Sequence, residues 1–257
     1  MQVEGATVLV TGASSGIGAA LAPMLAERGA HVGIVARRGD RLEAVLAGCP
    51  GDGHRLWVCD LEDVDAAAQV ALDAWDAFGG LDAIVHNAAI PKRRAAQDLT
   101  YHDVTSVMTV NYFAPVRMTL ALLPRMLERD RGVIVNVSSL GGRLGIVHEA
   151  AYCASKFALC GWSESLAIDL WHTNVDVRLV IPGPIDTEIW DLPDNDAPLY
   201  DGPLEPPEGV AADIIAAIEG DAFEVYSPDM KDIAAFKTTN IDAFLAGVAD
   251  MARPKET

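Results

Sequence analysis

Tyr152 and Lys156 stand four residues apart in AYCASKFAL, within a run of helix-forming residues, so both project from one face of the expected helix. A free tyrosine titrates at about 10 and exchanges protons poorly at neutral pH, but a neighbouring ammonium stabilises its phenolate and lowers that value. Such a pair can move a proton onto or off a carbonyl oxygen. Two residues at this spacing more often mark a solvated helix face, so the surroundings decide.

A second chemical feature lies at the other end of the chain. TGASSGIG, Thr11 to Gly18, follows the β-branched run ATVLVT and opens a helical stretch from Gly16 to Arg28. Gly12 permits a tight turn, Gly16 lets backbone N–H groups approach a pyrophosphate, and Gly18 allows close helix packing. The helix dipole favours an anion there, and Ser14, Ser15 and Ile17 belong to the same expected contact. Dinucleotide sites that take NAD place a carboxylate at the end of the second strand, against the ribose hydroxyls. Here Ala36 holds that place and Arg37, Arg38 and Arg41 follow. Cations without a carboxylate suit a 2′-phosphate, so NADP(H) is the expected cofactor; a solvated helix entry is the alternative.

These groups need a frame. Short β-branched runs alternate with Ala/Leu-rich helical stretches: HVGIVA, RLWVCD, LDAIVHN, GVIVNVSS and VDVRLVIPG, with a last strand around FEVYS. The expectation is a doubly wound α/β fold of Rossmann type, a seven-stranded, mostly parallel sheet with helices on both faces. Helices are expected at 41–47, 64–78, 103–128, 150–171 and 208–219. Residues 1–257 are expected to form one domain. The proline-rich segment of about 186–207 leaves a strand's carboxyl end, where it can act as a lid, and a helical tail covers about 230–251.

Taken together, the Thr-Gly-x-x-x-Gly-x-Gly loop and Tyr-x-x-x-Lys resemble the short-chain dehydrogenase/reductase family, in its one-domain branch. The resemblance implies that Ser139, thirteen residues before Tyr152, polarises the substrate oxygen in preference to Ser138. It implies that Asn111 in TVNYF interrupts its helix and holds water near Lys156 for proton relay. Asp60 and Leu61 then meet the adenine, and Asn87 and Ala88 lie beneath the adenosine in HNAA, which departs from the family's Asn-Asn-Ala-Gly at His86 and Ala89. In PGPIDT, Pro182, Gly183, Ile185 and Thr187 support the nicotinamide. Tyr152 would protonate the carbonyl as NADPH delivers hydride, with Lys156 lowering the tyrosine pKa and holding the ribose; oxidation reverses this.

By their place near the site, Leu140, Leu144, Val147, His148, Trp190 and Leu192 are candidate pocket residues, with core packing as the alternative for the aliphatic ones. They suggest an apolar or aromatic ketone or secondary alcohol as the small-molecule partner. Lys92, Arg93 and Arg94 could draw an anionic substrate, although a solvated charge run is the simpler expectation. A net charge of -18 disfavours nucleic-acid and membrane partners. Cys49, His54 and Cys59 lack the further ligands of a tetrahedral metal site, and four cysteines without a disulfide framework, with no signal-like start, suggest the cytoplasm. SSLGG is not the Gly-x-Ser-x-Gly of a serine hydrolase. An NADP(H)-binding sensor with little turnover is the remaining alternative, because a fold does not by itself imply catalysis. A homodimer through the helices at 103–128 and 150–171, or a homotetramer, is expected; the tail replaces the short Asp-Gly-Gly ending of many family members and leaves the tetramer in question.

Overall fold

The computed structural model describes residues 1–250, so Met251, the last residue of the expected tail, lies outside the described residues. Seven strands form one sheet: β1 (Thr7–Thr11), β2 (His31–Ala36), β3 (Arg55–Val58), β4 (Ala83–His86), β5 (Gly132–Val137), β6 (Val175–Pro182) and β7 (Glu224–Ser227). Their order is β3-β2-β1-β4-β5-β6-β7 and every pairing is parallel, where a mostly parallel sheet was expected. The order reverses between β1 and β4, which opens a crevice at their carboxyl ends.

The sheet is buried on both faces because each strand supplies apolar side chains to both. Val8 and Val10 of β1 join one core with Leu21 and Leu25 of α1 (Gly16–Glu27), Leu42 of α2 (Gly39–Ala47) and Ile214 of α7 (Pro207–Glu219). Leu9, between them, points into the opposite core, with Ala71 of α3 (Val64–Phe78), Met118 of α5 (Ala114–Glu128) and Leu166 of α6 (Ala150–Asp169). This two-sided burial explains the near-continuous apolar runs of the central strands.

The expected single helix over 103–128 is instead three pieces: α4 (Tyr101–Met108), a π-helical turn (Thr109–Phe113) and α5. Thr100 and Asp103 form a reciprocal capping box that starts α4 before the predicted position. The wide turn lies at Asn111, whose fully buried side chain turns to the backbone after β4: its Oδ1 accepts from Ile90 N at 2.8 Å and its Nδ2 donates to Ile90 O at 2.9 Å. The helix expected to reach 171 ends at Asp169, and the tail consists of α8 (Lys231–Thr239) and α9 (Ile241–Asp250).

Candidate active site

One cleft of about 600 Å³ runs along the carboxyl ends of the strands and is lined both by the glycine loop and by Ser139, Tyr152 and Lys156. At its nucleotide end the loop is fixed by backbone contacts. Gly12 has φ +69°, and a Cβ there would lie 2.6 Å from Ala88 Cα. Gly18 does not line the cleft; a Cβ there would lie 2.6 Å from both Gly12 O and Asn87 Nδ2, so its role is the close packing expected of it. Thr11 Oγ1 accepts from Asn87 N at 3.1 Å and Ala88 N at 3.2 Å, while Asn87 Nδ2 donates to Thr11 O at 2.9 Å. The HNAA turn therefore holds despite its two departures. His86 is buried and donates or accepts at Thr119 Oγ1, 3.0 Å away; burial pushes its pKa down to about 3 and keeps it neutral.

Arg38 reaches over this loop. Its Nη2 donates to Ser14 Oγ at 3.1 Å and Ser15 Oγ at 2.8 Å, and its Nη1 to Glu188 Oε2 at 2.8 Å. Arg41 pairs with the same Glu188. Arg37 is exposed, 3.8 Å from Asp60, which lines the cleft with Leu61. Hence the arginines are not a plain solvated helix entry: two of them bridge the cleft to the segment after β6. Pro182, Gly183, Ile185 and Thr187 line the facing wall.

At the chemical end, Ser139 caps a short turn by accepting from Gly141 N at 3.0 Å, and its hydrogen bond to the Tyr152 hydroxyl favours the phenolate. Burial acts more strongly and holds Tyr152 above the ordinary tyrosine range, with Glu149 and Cys153 pushing the same way. Lys156 is also buried, which lowers its pKa to about 8; its Nζ donates to Val137 O at 2.9 Å and lies 5.7 Å from the Tyr152 ring centroid. The downward pull expected of Lys156 on the tyrosine would act against this desolvation. Ser138 is taken up by Lys156 O and Cys160 Sγ, both at 3.2 Å, which leaves Ser139 facing the tyrosine. Asn111 makes its hydrogen bonds to Ile90 and, at 3.0 Å, to Ser155 Oγ, and none to Lys156.

The family model described as short chain dehydrogenase matches residues 6–196, which include the loop, Ser139, Tyr152 and Lys156. The chain belongs to the short-chain dehydrogenase family. It is an oxidoreductase of a family that uses nicotinamide cofactors. Among its relatives, D-threitol dehydrogenase of Mycolicibacterium smegmatis is 37% identical over 76% of this chain and 78% of that protein. Fatty acyl-CoA reductase of Acinetobacter baylyi is 36% identical over 69% of this chain, but the match spans only 62% of that protein. The crystal structure of a short chain dehydrogenase from Burkholderia cenocepacia J2315 in complex with NADP superposes with a TM-score of 0.82, at 30% identity, covering 99% of this chain and 100% of that one.

In this family member the substrate end departs furthest from the sequence reading. Leu140, Leu144, Val147, Trp190 and Leu192 line the cleft, but His148 does not. His148 adopts φ +61° and its carbonyl accepts from Arg94 N at 2.8 Å, so its backbone shapes the turn before α6. The basic run is neither a solvated patch nor open to an anion. Lys92 pairs with Asp103 at 2.9 Å and with Asp194, Arg94 pairs with Asp194 at 2.6 Å, and Arg93 is buried. Arg93 donates to the carbonyls of Ile189 (3.1 Å), Trp190 (2.5 Å) and Asp196 (3.1 Å), fixing the proline-rich segment from below. Sequence reading also missed Glu149 and the tail residues Met230, Ile233, Phe244 and Val248, all on the cleft wall. The only available signal was the apolar spacing within the tail, which names no partner.

Cys49 donates to Val45 O, while His54 bonds Val32 N and Pro50 O, so these groups serve separate local contacts. No helix among the described residues is long and apolar enough to cross a membrane.

Proposed function

We propose that this chain interconverts a ketone and a secondary alcohol with NADP(H) as its preferred cofactor. The observation that carries the proposal is the continuity of one cleft from the glycine loop to Ser139, Tyr152 and Lys156. Preference for NADP(H) rests on Ala36 in place of a carboxylate and on Arg38 poised over Ser14 and Ser15, where a 2′-phosphate finds charge-assisted donors. Glu188 competes for Arg38 and Arg41, so the phosphate must exchange with it. The structural neighbour in complex with NADP supports the same choice.

The cofactor would be held by the loop from Gly12 to Gly18, by Asp60, Leu61, Asn87 and Ala88 around the adenosine, and by Pro182, Gly183, Ile185 and Thr187 at the nicotinamide, which supplies hydride. Tyr152 donates the proton to the carbonyl oxygen as charge develops there. Ser139 orients the oxygen and stabilises its charge. Lys156, charged beside the ring, favours the phenolate that proton transfer leaves behind. Asn111 acts as a positioning residue by fixing Ile90 and Ser155 around the site, and the relay water remains part of this proposal.

Leu140, Leu144, Val147, Trp190 and Leu192 favour apolar or aromatic substituents. The chain is proposed to work as one domain, with segment 186–207 as a lid. Phe113, Leu120, Ile168 and Trp171 are exposed on or beside α5 and α6 and favour a homodimer through those helices. Four buried free cysteines suit a cytoplasmic setting. The test is a panel of carbonyls and alcohols followed at the NADPH absorbance beside NADH. Turnover favouring NADPH is expected. NADH preference would remove the cofactor assignment, and NADPH binding without any turnover would favour a sensor.

A further inference from the structure

Glu149 is a carboxyl group in the wrong surroundings for a merely structural residue. It lies three residues before Tyr152, at the start of α6, so it shares that helix face and lines the same cleft. Its side chain is only 10% exposed. It is close enough to Tyr152 to act on the phenol's charge. Its Oε2 is buried and has no hydrogen-bond partner.

The nearby cation does not resolve this. Arg93 Nη1 lies 3.8 Å from Glu149 Oε1, beyond hydrogen-bond length. Each of the three guanidinium nitrogens of Arg93 already donates to a lid carbonyl, at Asp196, Ile189 and Trp190. Buried carboxylates are normally satisfied by donors, and one left short of them sets a premium on any ligand that brings its own. The neighbouring wall is largely apolar, including Leu144, Val147 and Trp190, and the nearby Ser139 and Tyr152 hydroxyls are taken up by the reacting oxygen, which leaves Glu149 as the acceptor for an adjacent donor.

We propose that Glu149 is a specificity-determining residue that accepts a hydrogen bond from a hydroxyl next to the reacting carbon, so that the substrate class is α-hydroxy ketones and vicinal diols with an apolar remainder. This deepens the oxidoreductase assignment and rests on it. The ionised carboxylate, which predominates above about pH 7, selects and orients, so the substrates are compared at pH 8; the proton to the carbonyl still comes from Tyr152. A hydroxyl can donate to Glu149, whereas a methoxy group of similar electronic character cannot, and a site built to receive a donor discriminates against the analogue that lacks it.

The experiment compares α-hydroxy and α-methoxy derivatives of the ketone that the carbonyl panel identifies; for an acetophenone these are 2-hydroxyacetophenone and 2-methoxyacetophenone. The wild-type chain is expected to favour the hydroxy compound in kcat/KM by at least about tenfold, mainly through KM. In Glu149→Leu that ratio should fall to about 1–2, and in Glu149→Gln, which keeps an acceptor oxygen, to an intermediate value. A structural role alone would lower both substrates equally and preserve the ratio, which would overturn the inference. A wild-type ratio near 1 overturns it without any variant, so misfolding of Glu149→Leu cannot shelter it. NADPH binding with no carbonyl turnover strikes the oxidoreductase assignment itself, whereas turnover without hydroxy preference strikes only Glu149.

Discussion

The two ends of the cleft are built by different means. At the nucleotide end, backbone groups make the surface: Gly12, Gly18, Thr11 and Asn87 lock together two adjacent strands at the sheet's switch point. At the substrate end, side chains from remote segments meet. Arg93 holds the carbonyls of Ile189, Trp190 and Asp196, about a hundred positions away, while Glu149 and the tail supply the rest. Backbone geometry tolerates few residue types and so leaves a local pattern; side-chain convergence tolerates many and leaves none.

The comparison predicts that the nucleotide end should break abruptly. Gly18→Ala places a methyl group 2.6 Å from Gly12 O and Asn87 Nδ2, where backbone has no room to yield. Thermal unfolding should show a loss of about 1–3 kcal/mol, and NADPH titration should show binding weakened by more than about a hundredfold. Tight NADPH binding by this variant would mean that the close packing is not what shapes the loop.

Arg38→Ala removes the fork over Ser14 and Ser15 and should weaken NADPH by about 10–100-fold, with NADH changed by less than about threefold. Equal losses for both cofactors would move Arg38 from phosphate recognition to general support. Arg37→Ala should weaken NADPH in the same sense, since Arg37 lines the cleft and only a long, exposed pair with Asp60 holds it back from a phosphate.

The substrate end should loosen rather than collapse. Arg93→Lys keeps the charge but cannot reach three carbonyls at once, so KM for the carbonyl should rise by about tenfold with NADPH affinity retained. Cleavage by a protease within residues 186–207 should quicken. Unaltered KM and cleavage would separate the clamp from the lid.

The smallest effect is a pH dependence. Burial raises Glu149 from 4.5 to about 7, so the folded chain holds this proton more tightly than the unfolded one. The resulting stabilisation is complete below pH 4.5 and is lost as pH rises through 7. Glu149→Gln does not titrate, so its Tm relative to the wild type should increase by a few degrees between pH 5 and pH 8. A constant difference across that range would show that Glu149 does not hold its proton as its burial implies.

The same contrast explains what the sequence disclosed. The strand and helix rhythm, the glycine loop and the interval from Ser139 to Tyr152 are local patterns, and the sheet and cleft follow from them. His148 stands off the cleft lining because nearness in the chain does not reveal a left-handed turn that directs its backbone into structural service. Lys92, Arg93 and Arg94 were read as surface charge because their partners, Asp194 and the carbonyls of Ile189, Trp190 and Asp196, are remote in sequence. Asn111 was recognised, but the hydrogen bonds that tie it to Ile90 became visible only with the π-helical turn in place. Tyr152 was found from its spacing, whereas the upward pull of desolvation on its hydroxyl required the packed site.

The central claim is that Tyr152 is the proton donor in this cleft. Its most direct test is the kcat of Tyr152→Phe with a confirmed carbonyl and saturating NADPH, alongside NADPH binding by the same variant. A fall of about 10²–10⁴-fold in kcat, with the cofactor still bound, is the predicted result. Full turnover by Tyr152→Phe would contradict the assignment and send the search for the donor elsewhere in the cleft.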